Sequence, residues 1–573
     1  MQKRLFLVLA LLLLLCCFCV HLFAEEPSTV PAAEYGEGIY FGENAGRYML
    51  EKDMPTMPLT FEATMYFPRN ADASLPHTIL SNYERDTNGF TFEITKEGHP
   101  SLMFYEPGSV TTTYTFSTVS VYNDARTHIA LVADGENLHC YVNGELAETL
   151  ALALNPLEYS PRYTNLGTDH RCTNVCVFRG ALLNVACYAD VRTAAEVKAD
   201  MTEQGTDNLL LHFDMTESRY GEDVLDLSAE GNRAIYEHFW YDEIDNITDY
   251  AYSIAVVGDT QYNVKYQPNT FAKLYDWLVA NTAEKKIAFM LGLGDITDDD
   301  SEVQWEHATK NIAKLDGVLP YALTRGNHDG TTATYTEKFA NSGYAAAIGE
   351  NYYFNLTNTY QTFRQGKNNY LVLALNYNPS AKVIDWAKGV AEAHPYHRVI
   401  VITHSYLTET GTHAGPGQRC WDGFIKDCPN VEMVFSGHVF NDKILTLESK
   451  GSAGNIVKQF MINGQCVDST LKRSGKEVAG LVAMLYFDES GNNVKFEYYS
   501  TALDKYFMAC NQFTATVGNL AGDADFNGKI TVADTLMILK AYMNGAVCYN
   551  GDVNGDLRLT FTDVLATLRV ATR

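Results

Sequence analysis

The chain has 573 residues, which at ~100–200 residues per domain predicts about three or four domains. Lys and Arg total 43 against 70 Asp and Glu, a net charge of −27 that argues against a general binder of nucleic acid or anionic membrane. A hydrophobic share of 46% with only 20% charged residues excludes an extensively disordered chain.

Lys3 and Arg4 precede an unbroken apolar run, Leu5–Val20, and Ala24 stands before Glu25 and Glu26. A basic start, a short apolar stretch and a small residue before an acidic one describe a secretory signal peptide over residues 1–24. The alternative is a single membrane anchor, since the run nearly reaches spanning length. No later segment is long and apolar enough to cross a bilayer. The protein is therefore expected outside the cell, free or associated with a scaffold or the cell surface. Nine scattered cysteines follow the signal, an odd set that predicts buried free thiols rather than a disulfide framework.

Residues 35–240 read as all-β. Short alternating runs such as Leu59–Phe67 and Gly89–Ile94 recur between turn residues, the pattern of a sandwich. In Thr127–Glu145 two strands meet at Asp134-Gly135, and a second turn falls at Asn143-Gly144. This hairpin, with Phe178–Leu182 and Ala194–Val197 after it, resembles the laminin-G-like, concanavalin A-like jelly roll. The resemblance implies a carbohydrate- or protein-binding module, although the same fold also serves as a spacer. Residues 25–249 carry a net charge of −24, so a neutral glycan or a cell-surface ligand is expected rather than an acidic glycan.

Residues 250–515 alternate strand and helix. Tyr252–Val257, Lys286–Leu291, Tyr370–Leu375 and Arg398–Ile402 are continuous apolar runs, with helical stretches such as Phe271–Asn281 between them. Buried strands separated by helices indicate an α/β domain. Polar clusters follow five strands: Gly258-Asp259-Thr260-Gln261, Asp295-Ile296-Thr297-Asp298, Gly326-Asn327-His328-Asp329, Thr403-His404-Ser405 and Gly437-His438. Sites in α/β sheets lie at the carboxyl ends of strands, so the five clusters are expected to converge. Mixed oxygen and imidazole donors suit Mn, Fe or Zn better than calcium.

The five clusters, in this order, resemble the calcineurin-like metallophosphoesterases. That resemblance implies an αββα sandwich with two divalent transition metals, and hydroxide attack on a phosphate mono- or diester. It implies Asp259 and Gln261 at the first metal, Asp295 bridging both, and Asn327, His404 and His438 completing the second. It makes His328 the catalytic acid and Asp329 the group that orients it. Two cations ~3.5–4 Å apart can clamp a phosphate, and a bridging carboxylate offsets their repulsion. The chain departs from the family pattern at Gln261 and Phe440, where histidines are usual, and both changes fall on the first metal. Asn441 or Asp442 is the candidate substitute for the missing donor.

Residues 519–573 hold a duplication. Asp523, Asp525, Asn527 and Asp534 fall at positions 1, 3, 5 and 12 of one loop, and Asp552, Asn554, Asp556 and Asp563 repeat the spacing. Position 7, Lys529 or Arg558, lends a backbone carbonyl, the geometry of a calcium loop. A helix is expected after each loop, Thr535–Met543 and Val564–Val570. The pair resembles a dockerin, which implies a small helical calcium-binding module that docks onto a cohesin of a cellulosome-type scaffold protein. Leu557 occupies the glycine position of the second loop, so that loop is expected to be strained or to bind calcium less tightly. The combined expectation is a secreted phosphoesterase; the rival is a non-catalytic binding or adhesion protein with a degenerate metal centre.

Overall fold

The computed structural model describes residues 37–572 apart from 42–45, 53, 68–75, 83–88, 107–109, 124, 153–163, 169–176, 219, 245–246, 466 and 469–477. The signal read over residues 1–24, and Cys172, Cys176 and Cys466, lie outside these. Cys140, Cys187, Cys420, Cys428, Cys510 and Cys548 are unpaired thiols. Among the described residues no helix is long and apolar enough to cross a membrane.

Two antiparallel sheets of seven and eight strands form the N-terminal domain. The first runs Ile39–Phe41, Gly180–Tyr188, Thr60–Tyr66, Arg126–Ala133, Asn137–Val142, Glu145–Ala151. The second places Gly46–Leu50 between Arg233–His238 and Asn165–Leu166, and continues through His77–Ser81 to Val110–Thr115. Alternate residues point inward, and Phe61, Phe90, Phe92, Leu131 and Leu182 meet in one core. Each such fully buried side chain contributes roughly 1.5–3 kcal/mol of burial. Asn143 and Gly144 both take positive φ, 50° and 77°, as a two-residue hairpin turn with the right twist requires. The helix Ala194–Asp200 starts on a Thr193–Glu196 capping box.

The chain passes into the second domain through Trp240–Tyr241, which pairs with Lys505–Phe507. This domain packs two mixed sheets face to face. Tyr252–Val257, Ile287–Gly292 and Tyr321–Leu323 run parallel in one. Asn368–Ala374, Arg398–Ile402, Val431–Ser436 and Ile456–Met461 run parallel in the other. Their shared core includes Ile254, Val256, Leu291, Val372, Ile400 and Phe435. The helix Pro268–Asn281 covers one outer face with Phe271, Leu274 and Leu278. Ala381–Ala393 covers the other with Val383, Ile384 and Ala387. Helix, sheet, sheet and helix therefore form four layers, and the parallel strands present their carboxyl ends along one edge.

In the C-terminal segment the helices run Val532–Asn544 and Phe561–Ala571, starting three residues earlier than expected. Asp534 and Asp563, the last loop residues, also close capping boxes with Thr531 and Thr560, so each helix begins inside its loop. The core of this segment is small: Ala524, Ile538, Cys548 and Val564.

Candidate metal centre

Ligand atoms of Asp295, His404 and His438 lie within 4.8 Å of one another, although 143 residues of chain separate the first from the last. Asp295 follows the strand Ile287–Gly292, His404 follows Arg398–Ile402, and His438 follows Val431–Ser436. The parallel strands end together, so their following residues meet. Asp259, Asp295 and His438 hold positive φ of 55°, 48° and 75°. Such conformations cost of order 1–3 kcal/mol each in non-glycine residues and concentrate at functional sites.

Each donor is fixed by a neighbour. Asp295 Oδ1 accepts the backbone N–H of His328 at 2.9 Å, while its Oδ2 lies 3.2 Å from both Gln261 Nε2 and His404 Nε2. His404 Nδ1 stands 2.8 Å from the Leu293 carbonyl, which can only accept. The proton therefore sits on Nδ1, and Nε2 is directed at Asp295 and at Asn327 Oδ1, 3.0 Å away. The Asp259 carboxylate accepts the backbone N–H of His438 at 3.0 and 3.2 Å. That approach requires Gly437, since a Cβ there would lie 2.0 Å from Asp259 Oδ2. His438 packs its ring 4.9 Å from that of His404.

The cluster is nearly dry: Asp259, Gln261 and His404 are fully buried and Asp295 is 2% exposed. Burial and the Asp295 charge together push Asp259 well above the usual carboxylate range, although His404 opposes this. Burial disfavours the His404 imidazolium, but Asp295 and Asp259 outweigh it and raise the group to about 9. Burial would also raise Asp295, yet His404 and the His328 amide hold it low. Asp295, His404 and His438 bring carboxylate and imidazole donors to one point, the mixed oxygen and nitrogen set that a divalent transition cation takes. Gln261 Oε1 is buried with no hydrogen-bond partner among the described residues, an acceptor left over for the same purpose. The residues present fit a metal.

His328 is 39% exposed at the mouth of this cluster, and its Nδ1 lies 2.7 Å from the Asp298 carbonyl. Here the expected arrangement differs. Asp329 makes no described bond to the His328 ring; it accepts the backbone N–H of Thr297 and of Gly326, both at 2.8 Å. It braces the loop, and Asp298 orients the imidazole. Burial, then Asp295, raises Asp329 to about 6. Phe440 is 37% exposed and carries no donor. Neither proposed substitute joins the cluster: Asp442 binds Arg47 at 2.7 Å, and Asn441 Nδ2 donates to the Glu409 carbonyl.

Tyr377 was not singled out by sequence. Its ring lies 5.8 Å from His404 and 5.5 Å from His438, held by its N–H on the Arg325 carbonyl. The signal was its position just beyond the strand Asn368–Ala374, a sixth strand end facing the same edge.

In the C-terminal loops, ligand atoms of Asp523, Asp525 and Asp534 lie within 4.8 Å of one another. Asp523 accepts from Asn527 and Gly528, and Lys529 N–H reaches Asn527 Oδ1. The second loop repeats this: Asp552 accepts from Asp556 and Leu557, Arg558 N–H reaches Asp556 Oδ1, and Asp563 accepts from Val553 and Asn554. Leu557 holds φ 64° where the first loop has Gly528 at 83°, the anticipated strain.

Two family models agree with this layout. Residues 252–441 match the family model of the calcineurin-like phosphoesterases, and residues 43–198 that of the concanavalin A-like lectin/glucanases superfamily. An uncharacterized protein of Bacillus subtilis, YvnB, is 27% identical over 272 residues, 45% of this chain; the match spans only 20% of that relative's length. Similar solved structures include a dimetal phosphatase from Danio rerio, at 15% identity and TM-score 0.31, covering 47% of this chain and 99% of that one. A purple acid phosphatase from yellow lupin, Lupinus luteus, has 12% identity and TM-score 0.31, covering 80% and 91%. A Bacteroides ovatus protein described as a putative carbohydrate binding protein has 16% identity and TM-score 0.26, covering 34% and 57%. The chain thus carries a concanavalin A-like domain followed by a calcineurin-like phosphoesterase domain.

Proposed function

We propose that the protein is a secreted, metal-dependent phosphoesterase that hydrolyses a phosphate mono- or diester. The observation that carries this reading is the convergence of Asp295, His404 and His438 within a phosphoesterase-family domain, beside the unpartnered Gln261 Oε1. Asp259 and Gln261 would hold a first divalent cation, Asp295 both, and Asn327, His404 and His438 the second. Bound cations of the Mn, Fe or Zn type supply charge neutralisation and Lewis acidity at the phosphate. The chain supplies the rest. His328, anchored by Asp298, presents its outer face to solvent and to an entering ester, where it gives a proton to the departing oxygen. Asp329 keeps the His328 loop in place through Thr297 and Gly326. Tyr377 packs its ring beside both histidines.

The C-terminal segment is proposed as a calcium-binding dockerin that attaches the enzyme to a cohesin of a scaffold protein. Its paired loops and its small core support this, since four buried side chains are too few to hold two helices without a metal. The N-terminal sandwich is proposed to position the enzyme on a neutral glycan or cell-surface ligand. One observation favours the rival reading of a non-catalytic binding protein: Phe440 supplies no donor and its neighbours face elsewhere. Metal analysis after reconstitution, with turnover of generic phosphate mono- and diesters, separates the two. Bound metal with turnover supports the enzyme; fewer than ~0.5 metal per chain and no turnover sinks it.

A further inference from the structure

The N-terminal sandwich reaches the loop that carries His438. Arg47, in the strand Gly46–Leu50, is 3% exposed. Its Nη1 donates to Asp442 Oδ2 at 2.7 Å. Its Nε and Nη2 donate to Glu237 Oε2 at 3.3 and 3.2 Å. Glu237 faces Arg47 directly across the antiparallel pair, so the guanidinium is fixed within its own domain before it meets the other. Asp442 is 2% exposed and lies four residues beyond His438. Asn511 grips the same stretch: its Nδ2 donates to the Asp442 carbonyl at 2.9 Å and its Oδ1 accepts the Ile444 N–H at 2.8 Å.

The loop 437–444 is thus tied at two points. Asp259 holds the His438 amide at one end, and Arg47 with Asn511 holds Asp442 at the other. His438 itself holds φ 75°, a conformation that persists only where the surroundings enforce it. A charge pair this buried is strongly coupled, since removing one partner leaves the other unpaired away from water. Arg47 also belongs to a different domain from the donors it would serve, so the tie passes between two separately packed cores.

We infer that Arg47 is a positioning residue: through Asp442 it fixes the loop bearing His438, so the sandwich sets cation binding at the phosphoesterase centre. This rests on the phosphoesterase reading above. The sandwich is then part of the metal site's support and not only an appended binding arm.

The test uses the full chain with Arg47→Gln, Arg47→Lys and Asp442→Asn. Hydrogen exchange of backbone amides 437–444 is measured without metal, and Mn2+ affinity is measured by calorimetry. The expected result for Arg47→Gln is about tenfold faster exchange in that loop, unchanged exchange in the sandwich core, and Mn2+ affinity lower by about tenfold. Arg47→Lys, which keeps the charge but not the fork, recovers part of both. Wild-type exchange and wild-type Mn2+ affinity in Arg47→Gln overturn the inference. If Arg47→Gln fails to fold, the isosteric Asp442→Asn decides by the same two readings. A wild-type protein that binds no Mn2+ overturns the phosphoesterase reading and the cation-tuning role with it. Loop exchange then reports separately whether Arg47 holds the loop.

Discussion

His404 Nε2 lies 3.2 Å from Asp295 Oδ2, both side chains out of water, with the far nitrogen of the same ring bound to the Leu293 carbonyl. This relay sets the direction in which the imidazole lone pair points. Losing a partner that merely orients a metal ligand costs ~10–100-fold in affinity or activity. Losing the ligand itself costs at least that much. His404→Ala and Asp295→Asn are therefore expected to lose bound transition metal and to lower turnover by about 100-fold or more. Elemental analysis of the purified variants, beside an ester assay, checks both. Full metal content with normal turnover in either variant would remove these residues from the site.

His328 should behave differently. It is half-exposed, its Nδ1 is spent on Asp298, and among the described residues its hydrogen bond to the cluster is made by its backbone amide on Asp295. That amide survives any side-chain change. His328→Gln is expected to keep its metal while kcat falls by about 10²–10⁴-fold, the usual worth of a positioned acid. The loss should shrink with esters whose leaving group needs no proton. Equal losses for good and poor leaving groups would argue against the acid role.

How far the residues spoke for themselves follows from their physics. Strand ends are legible because apolar runs stop abruptly, so Asp259, Asp295, His404 and His438 could be expected at one edge. Helix starts in the tail are hidden in the sequence because Asp534 and Asp563 act both as loop acids and as capping residues, and only the backbone reveals the second role. The family resemblance assigns Asp329 to the ring of His328, yet its carboxylate accepts two backbone amides instead. Arg47 and Asp442 are 395 residues apart, and no spacing or periodicity announces a contact between domains. Tyr377 lacked a companion acid or histidine in sequence, so its strand end carried no chemical signal.

Asp468 gives a prediction in pH. It is almost fully buried, bonded to Asn263 and to the Ala479 amide, and so buttresses the helix Gln261–Tyr266. Burial raises its carboxyl from 3.8 to about 7, against those two hydrogen bonds. Between these values the unfolded chain has released the proton and the folded one has kept it. Its contribution to stability is therefore complete below pH 3.8 and is lost as pH rises toward 7. Asp468→Asn keeps the shape and cannot ionise. The variant is expected to melt higher than the wild type near neutral pH, with the gap closing as pH falls toward 4. Calorimetry across pH 4–8 measures it, and a gap independent of pH would contradict the assignment.

The last prediction concerns how the tail sits on the catalytic domain. Asn369 Nδ2 donates to the Gly555 carbonyl at 3.0 Å, so the second repeated loop rests on the start of the strand Asn368–Ala374. Gly555 holds φ 74°, and a Cβ there would stand 2.1 Å from the Lys367 carbonyl. A larger residue meets backbone that cannot yield, in a conformation it disfavours. Gly555→Val is expected to lift the tail off the domain, seen as a larger radius of gyration and faster proteolysis around residues 516–522. Metal content and turnover should stay unchanged, since the phosphoesterase donors lie elsewhere. Calcium chelation of the wild type should give the same expansion, because Gly555 lies inside the loop whose Asp552 and Asp563 carboxylates hold its backbone. If chelation leaves the tail compact while Gly555→Val releases it, the docking is steric and owes nothing to calcium.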